Sequence, residues 1–254
     1  MFFYIPFYYL FRTRLVGKSA KFAWIFTYII PTYVVYFYMM NAGFMLYFLL
    51  LLATFSAYEL GYIYNDAELV KKENNPTLRL SQQEHVFYEK NKKFIYSIRL
   101  LWVVISNVMV FCLYKEYFIF ILLNSLSILL VYVVYNSIRN EFNIILYSLL
   151  LILKYFGVYV FMLGDLGFLF VSWLLYPLCN TLDFATKARF FTSHYLKIDN
   201  FDKFRVQYYI FLVMLIYILG YFDSLPYSEF FNVLALYFLV YRTLLYLFVV
   251  KKFR

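Results

Sequence analysis

Glycine and proline are scarce in this chain, seven and five among 254 residues, and cysteine and histidine occur twice each. So few glycines leave no Gly-rich loop to cradle a phosphate or a dinucleotide, which excludes P-loop and Rossmann readings. Few helix breakers predict long, mostly unbroken helices. Cys112 and Cys179 stand in separate apolar runs with no Cys or His at ligand spacing, so neither a disulfide framework nor a zinc site is implied. His85 and His194 have no nucleophile or second ligand at a useful spacing and read as solvated loop residues. Charge is sparse as well, at 15 %. The net charge of +9 carries no nucleic-acid-binding pattern and is read as orientation and lipid-surface charge, so no nucleic-acid partner is expected.

Apolar residues are what the chain has in excess. They make up 65 % of it, with 30 tyrosines and 32 phenylalanines, against roughly 45–50 % apolar content in soluble domains. The fold class is therefore all-α: a polytopic integral membrane helical bundle, with 1–254 as a single transmembrane domain. The aromatic excess reads as compositional bias and interface anchoring. Apolar runs of spanning length fall at 22–40, 43–64, 94–113, 117–135, 142–162, 166–181, 206–222 and 230–250, about eight transmembrane helices, of which 166–181 is short for a crossing. The connections 65–93, 136–141 and 182–205 and both ends hold nearly all the Lys and Arg, so the positive-inside rule makes both termini and the loops 65–93 and 182–205 cytoplasmic. The first twelve residues, MFFYIPFYYLFR, lack the marks of a secretory signal and are expected to form an interfacial segment. Size and simplicity suggest a bacterial inner (plasma) membrane.

The polar stretch with the most chemistry is YELGYIYNDAELVKKENNPTLRLS, residues 58–81, where a spanning run ends among carboxylates, amides and cations. On a helix, Glu59, Asp66 and Glu73 fall seven apart and share a stripe with Tyr62 and Asn65. Three carboxylates on one face suit a hard cation, with magnesium first among candidates. Equally open is a structural role, in which Asn65 and Asp66 cap a helix end and Lys71, Lys72 and Glu73 form a solvated face. Glu59, Arg99, Lys154 and Arg242 are charges within spans; Arg99, close after Lys93, can snorkel, while Glu59 and Lys154 are expected to face the bundle interior, paired with each other or with Arg242.

The order of a spanning helix, Asn65-Asp66, an acidic Glu73, then Pro76 and Arg79 resembles the first aspartate-rich motif of the UbiA superfamily of membrane prenyltransferases. Leu69 stands where that pattern has its middle Asp, leaving Glu68 or Glu59 to compensate. In the second loop Asp183 matches the first position of the family's second motif, and Lys187 replaces the other Asp. Residues 74–79 (NNPTLR) and 186–189 (TKAR) are similar to the branch that transfers phosphoribose from phosphoribosyl pyrophosphate to a polyprenyl phosphate. The resemblance implies a UbiA-like arrangement, although that family has nine helices, and an Mg2+-dependent transferase acting on an isoprenoid lipid. It assigns catalytic roles to Asp66 and Asp183, metal ligation to Asp66 and Glu73, and phosphate binding to Asn65, Arg79, Lys187 and Arg189. Two other classes remain: a non-catalytic lipid-binding relative, and a small membrane transporter using Glu59, Lys154 and Arg242 as a relay.

Overall fold

The computed structural model describes residues 2–72, 76–138, 140–187, 190–222, 225 and 227–250. It is 84 % helical, and no strand occurs among the described residues. In chain order the helices are α1 (Tyr8–Thr13), α2 (Lys18–Trp24), α3 (Ile30–Met40), α4 (Phe44–Ala67), α5 (Gln82–Leu113), α6 (Phe118–Ser137), α7 (Phe142–Leu163), α8 (Leu166–Leu175), α9 (Pro177–Ala185), α10 (Phe201–Tyr221) and α11 (Ser228–Leu245). A π-helical turn, Ile25–Ile29, joins α2 to α3 ahead of Pro31, which has no N–H to give the helical ladder. Among the described residues, seven helical stretches are long and apolar enough to cross a membrane, and α8 with α9 makes an eighth if that bent pair counts as one span. This is an all-α polytopic bundle of an integral membrane protein.

The short span expected at 166–181 is a broken helix bent by 55°. Pro177 begins its second half and Tyr176 leaves helical geometry. The break leaves carbonyls without helical partners, and the Tyr208 and Tyr209 phenols donate to Leu174 O and Leu175 O. Backbone polar groups at membrane depth are tolerated only when satisfied in this way.

The chain divides into two compact units. The first holds residues up to Ile138 together with Leu153–Met162; the second holds 139–152 and the chain from Leu163 onward. In the first unit α4 is the central helix. Most of its residues are buried, consistent with a sequence apolar on every side. Gly61 lets the Tyr132 ring of α6 close onto it. On α5 the buried residues Ile95, Arg99, Val103, Ser106 and Val110 recur at helical spacing, so Arg99 lies on the packed stripe. In the second unit α10 packs on α11, with Tyr209 stacked on Phe238 at 5.3 Å between ring centres.

One expected boundary moves. α5 begins at Gln82, because Ser81 and Glu84 form a reciprocal capping box, so the polar connection expected over 65–93 contracts to the residues between Ala67 and Gln82. Phe2 to Thr13 pack one face onto this unit: Phe3 and Tyr9 are fully buried in a cluster with Ile63, Ala67, Leu80, Tyr88 and Ile95, while Ile5, Tyr8, Phe11 and Arg12 on the other face are exposed.

Candidate functional site

Glu59 and Asp66 sit two turns apart on one face of α4, and both are completely buried. Each is satisfied by the segment preceding α2. Glu59 accepts hydrogen bonds from the backbone N–H groups of Phe7 at 3.0 Å and Leu10 at 2.7 Å, and from Arg99 Nη1 at 2.6 Å. α1 has no side-chain cap of its own; Glu59 takes that role from another helix, with Phe7 turning the backbone through φ 66°. Arg99 in turn donates to Phe3 O at 2.6 Å and Phe2 O at 3.2 Å. Every buried charge here therefore meets a partner, the condition for keeping it out of water.

One residue before the end of α4, Asp66 receives Arg14 in a bidentate pair, at 2.7 and 2.8 Å. It also accepts from the Tyr9 hydroxyl at 2.9 Å, Arg79 at 3.2 Å and the Asn65 amide at 3.4 Å. Arg14 lies 4.4 Å from the centre of the Tyr62 ring. Burial works against the Arg14 charge, but Asp66 more than offsets it, so the guanidinium stays charged. Burial, then the neighbouring carboxylate, pushes the Tyr9 phenol above its ordinary range, so it remains a neutral donor.

Lys154 completes the group. Its ammonium lies 4.8 Å from the Tyr28 ring centre and 5.4 Å from those of Phe55 and Tyr58, close enough to Arg14 for mutual repulsion. Among the described residues it has no carboxylate partner. Arg14 and Arg79 both meet Asp66 at the end of α4, and Lys154 adds a further positive charge about two turns nearer the middle of that helix, at Phe55 and Tyr58.

These contacts correct several expectations. Glu59 pairs with Arg99 rather than with Lys154 or Arg242, and Arg99 does not snorkel, because its place on the buried stripe of α5 directs it to Glu59. Lys154 is held by aromatic faces. Neither Glu68 nor Glu59 replaces the carboxylate missing at Leu69: Glu68 is taken by Lys71, Lys92 and Tyr88, and Leu69 itself is buried. Glu73 and Arg189 lie outside the described residues. No group of three His, Cys, Asp or Glu gathers among the described residues, and both Asp66 oxygens already accept guanidinium bonds. The described donors therefore do not fit magnesium, which would have to displace Arg14 from its carboxylate. Asn65 and Arg79 do lie together at Asp66.

No family model matches the chain, nor does any curated protein or solved structure. The UbiA resemblance thus rests on the motif residues alone.

In the second unit Asp183 pairs with Arg205 at 3.1 Å, and Arg205 also pairs with Asp202 at 3.1 Å. Lys187 lies 4.7 Å from the Phe184 ring centre. Arg242 rests against the Tyr241 ring, and both it and Arg205 stand near the buried Cys179 thiol. Arg14, Tyr9 and Arg99 are the residues that motif reading misses. Arg14 is visible in the sequence only as one member of a basic patch, and Tyr9 as one of many tyrosines.

Proposed function

We propose that this chain binds a polyprenyl phosphate or diphosphate at the end of α4 and acts on it as a UbiA-like integral-membrane transferase. The observation that carries the reading is the row of cations along α4: Arg14 and Arg79 on Asp66, and Lys154 about two turns back at Phe55 and Tyr58, near enough to Arg14 to repel it and without a carboxylate among the described residues. Lysine within a span costs about 2.5–3.5 kcal/mol on the insertion scale, a cost readily understood if an anion is brought to it. Arg and Lys together suit a phosphate, the guanidiniums by fork geometry and the ammonium as a point charge. The same cations would stabilise negative charge developing on a departing phosphate or diphosphate. Phosphoribosyl pyrophosphate is the donor in one branch of the resemblance, prenyl transfer the reaction in the other. A bacterial inner membrane with both termini cytoplasmic belongs to this proposal.

A second reading, a lipid-phosphate-binding protein without turnover, is favoured by one feature: Glu59 and Asp66 are both saturated by donors of the protein itself. One experiment separates the two. Purified protein in nanodiscs is given radiolabelled polyprenyl phosphate or diphosphate, with and without phosphoribosyl pyrophosphate, and both bound lipid and lipid product are measured. Binding with product supports the transferase, binding alone the second reading, and absence of binding refutes both.

A further inference from the structure

We infer that residues 2–14 are a docked component of the anion site, and that Glu59 is the positioning residue that holds them there, acting through Arg14. The inference rests on the phosphate-binding reading for its consequence, but its structural basis is separate. Three fastenings run along the segment: Arg99 to the Phe2 and Phe3 carbonyls, Glu59 to the Phe7 and Leu10 N–H groups, and Asp66 to Tyr9 and Arg14. Glu59 is the central one. It ties the backbone of the segment to α4 and also pairs with Arg99, which grips the segment one turn earlier. Its bonds to Phe7 and Leu10 fix where α1 starts, and α1 ends at Thr13, immediately before Arg14. Without Glu59, the guanidinium that supplies the bidentate contact to Asp66 has lost the anchor of its helix.

Charge on Glu59 is only part of the requirement. Its two oxygens serve two backbone donors as well as Arg99, so a merely ionic role and a docking role respond differently to substitution. Glu59→Gln keeps an oxygen acceptor for a backbone N–H, and Glu59→Ala keeps none.

The test uses the full chain in nanodiscs. In the absence of any lipid phosphate, phenylglyoxal labelling of Arg14 and Arg12 is followed by peptide mass spectrometry. Arg12 is the internal control, since its side chain is 54 % exposed against 17 % for Arg14. Arg14 should label about tenfold more slowly than Arg12 in the wild type, approach the Arg12 rate in Glu59→Ala, and fall between in Glu59→Gln. Binding of labelled polyprenyl phosphate is then measured for Glu59→Ala, Arg14→Ala and the double variant. If Glu59 works through Arg14, the double variant binds no more weakly than Arg14→Ala. An Arg14 labelling rate unaffected by Glu59→Ala overturns the inference, as do multiplicative losses in the double variant. If the wild type holds no polyprenyl phosphate, the proposed function falls, while the labelling result still decides whether Glu59 docks the segment.

Discussion

Asp66→Ala is the perturbation whose size follows most directly from the geometry. The substitution removes the acceptor of two Arg14 bonds, one Tyr9 bond and one Arg79 bond, at a fully buried position. Removing one partner of a buried ion pair costs about 3–5 kcal/mol. Here the abandoned cations retain some access to water, 17 % for Arg14 and 33 % for Arg79. Solvent screening reduces the expected loss to about 2–3 kcal/mol. With about 2–4 °C of Tm per kcal/mol for a chain of this size, the expected drop is about 4–12 °C. Asp66→Asn keeps one acceptor oxygen and should lose about half as much. The assay is a thermal scan with a thiol-reactive dye on a Cys112→Ser, Cys179→Ser background carrying Ser56→Cys, a fully buried position on α4 in the same unit as Asp66. An Asp66→Ala Tm within about 1 °C of the parent would refute the claim that this carboxylate is the hub of the cluster.

Three further outcomes are expected. Because guanidinium groups already occupy both Asp66 oxygens, millimolar magnesium or a chelator should leave the same Tm unchanged; a clear rise with magnesium alone would show a metal site that the cluster does not account for. Gly61→Ala should lower Tm by the equivalent of about 1–3 kcal/mol, since the added Cβ would stand 2.2 Å from ring atoms of Tyr132; an unchanged Tm would mean that α4 and α6 pack more loosely than described. Ser81→Ala should cost about 1 kcal/mol through loss of the capping box at the start of α5, and faster backbone hydrogen exchange at residues 82–85 is the local signature. Exchange at those residues equal to the parent's would argue against the cap.

Much of the fold was legible in the sequence because a spanning helix leaves a long apolar run. All eight runs correspond to helices or to the α8–α9 pair. Boundaries fared worse where the signal was local. The first turns of α5 are charged and read as loop, yet Ser81 and Glu84 carry the start signal. Pro177 marks the broken helix in plain sight, although a scarcity of proline suggested unbroken ones. The role of Phe2 to Thr13 was illegible for a physical reason: two of its three fastenings use backbone N–H and carbonyl groups, which every sequence has. Arg99 was readable in principle, since its spacing from Ile95 and Val103 puts it on the buried stripe. That stripe fixed its partner as Glu59, and so left Lys154 without the counter-ion expected for it.

Lys154→Met tests the central claim most directly. If Lys154 is kept in a span for the sake of an anion, as the proposed function has it, its removal should leave the fold at least as stable while weakening the site. In nanodiscs containing labelled polyprenyl phosphate, Lys154→Met should bind about tenfold more weakly than the wild type, with a Tm equal or higher and no effect of chelator on either protein. Equal affinity in the two proteins, or binding that chelator abolishes, would contradict it.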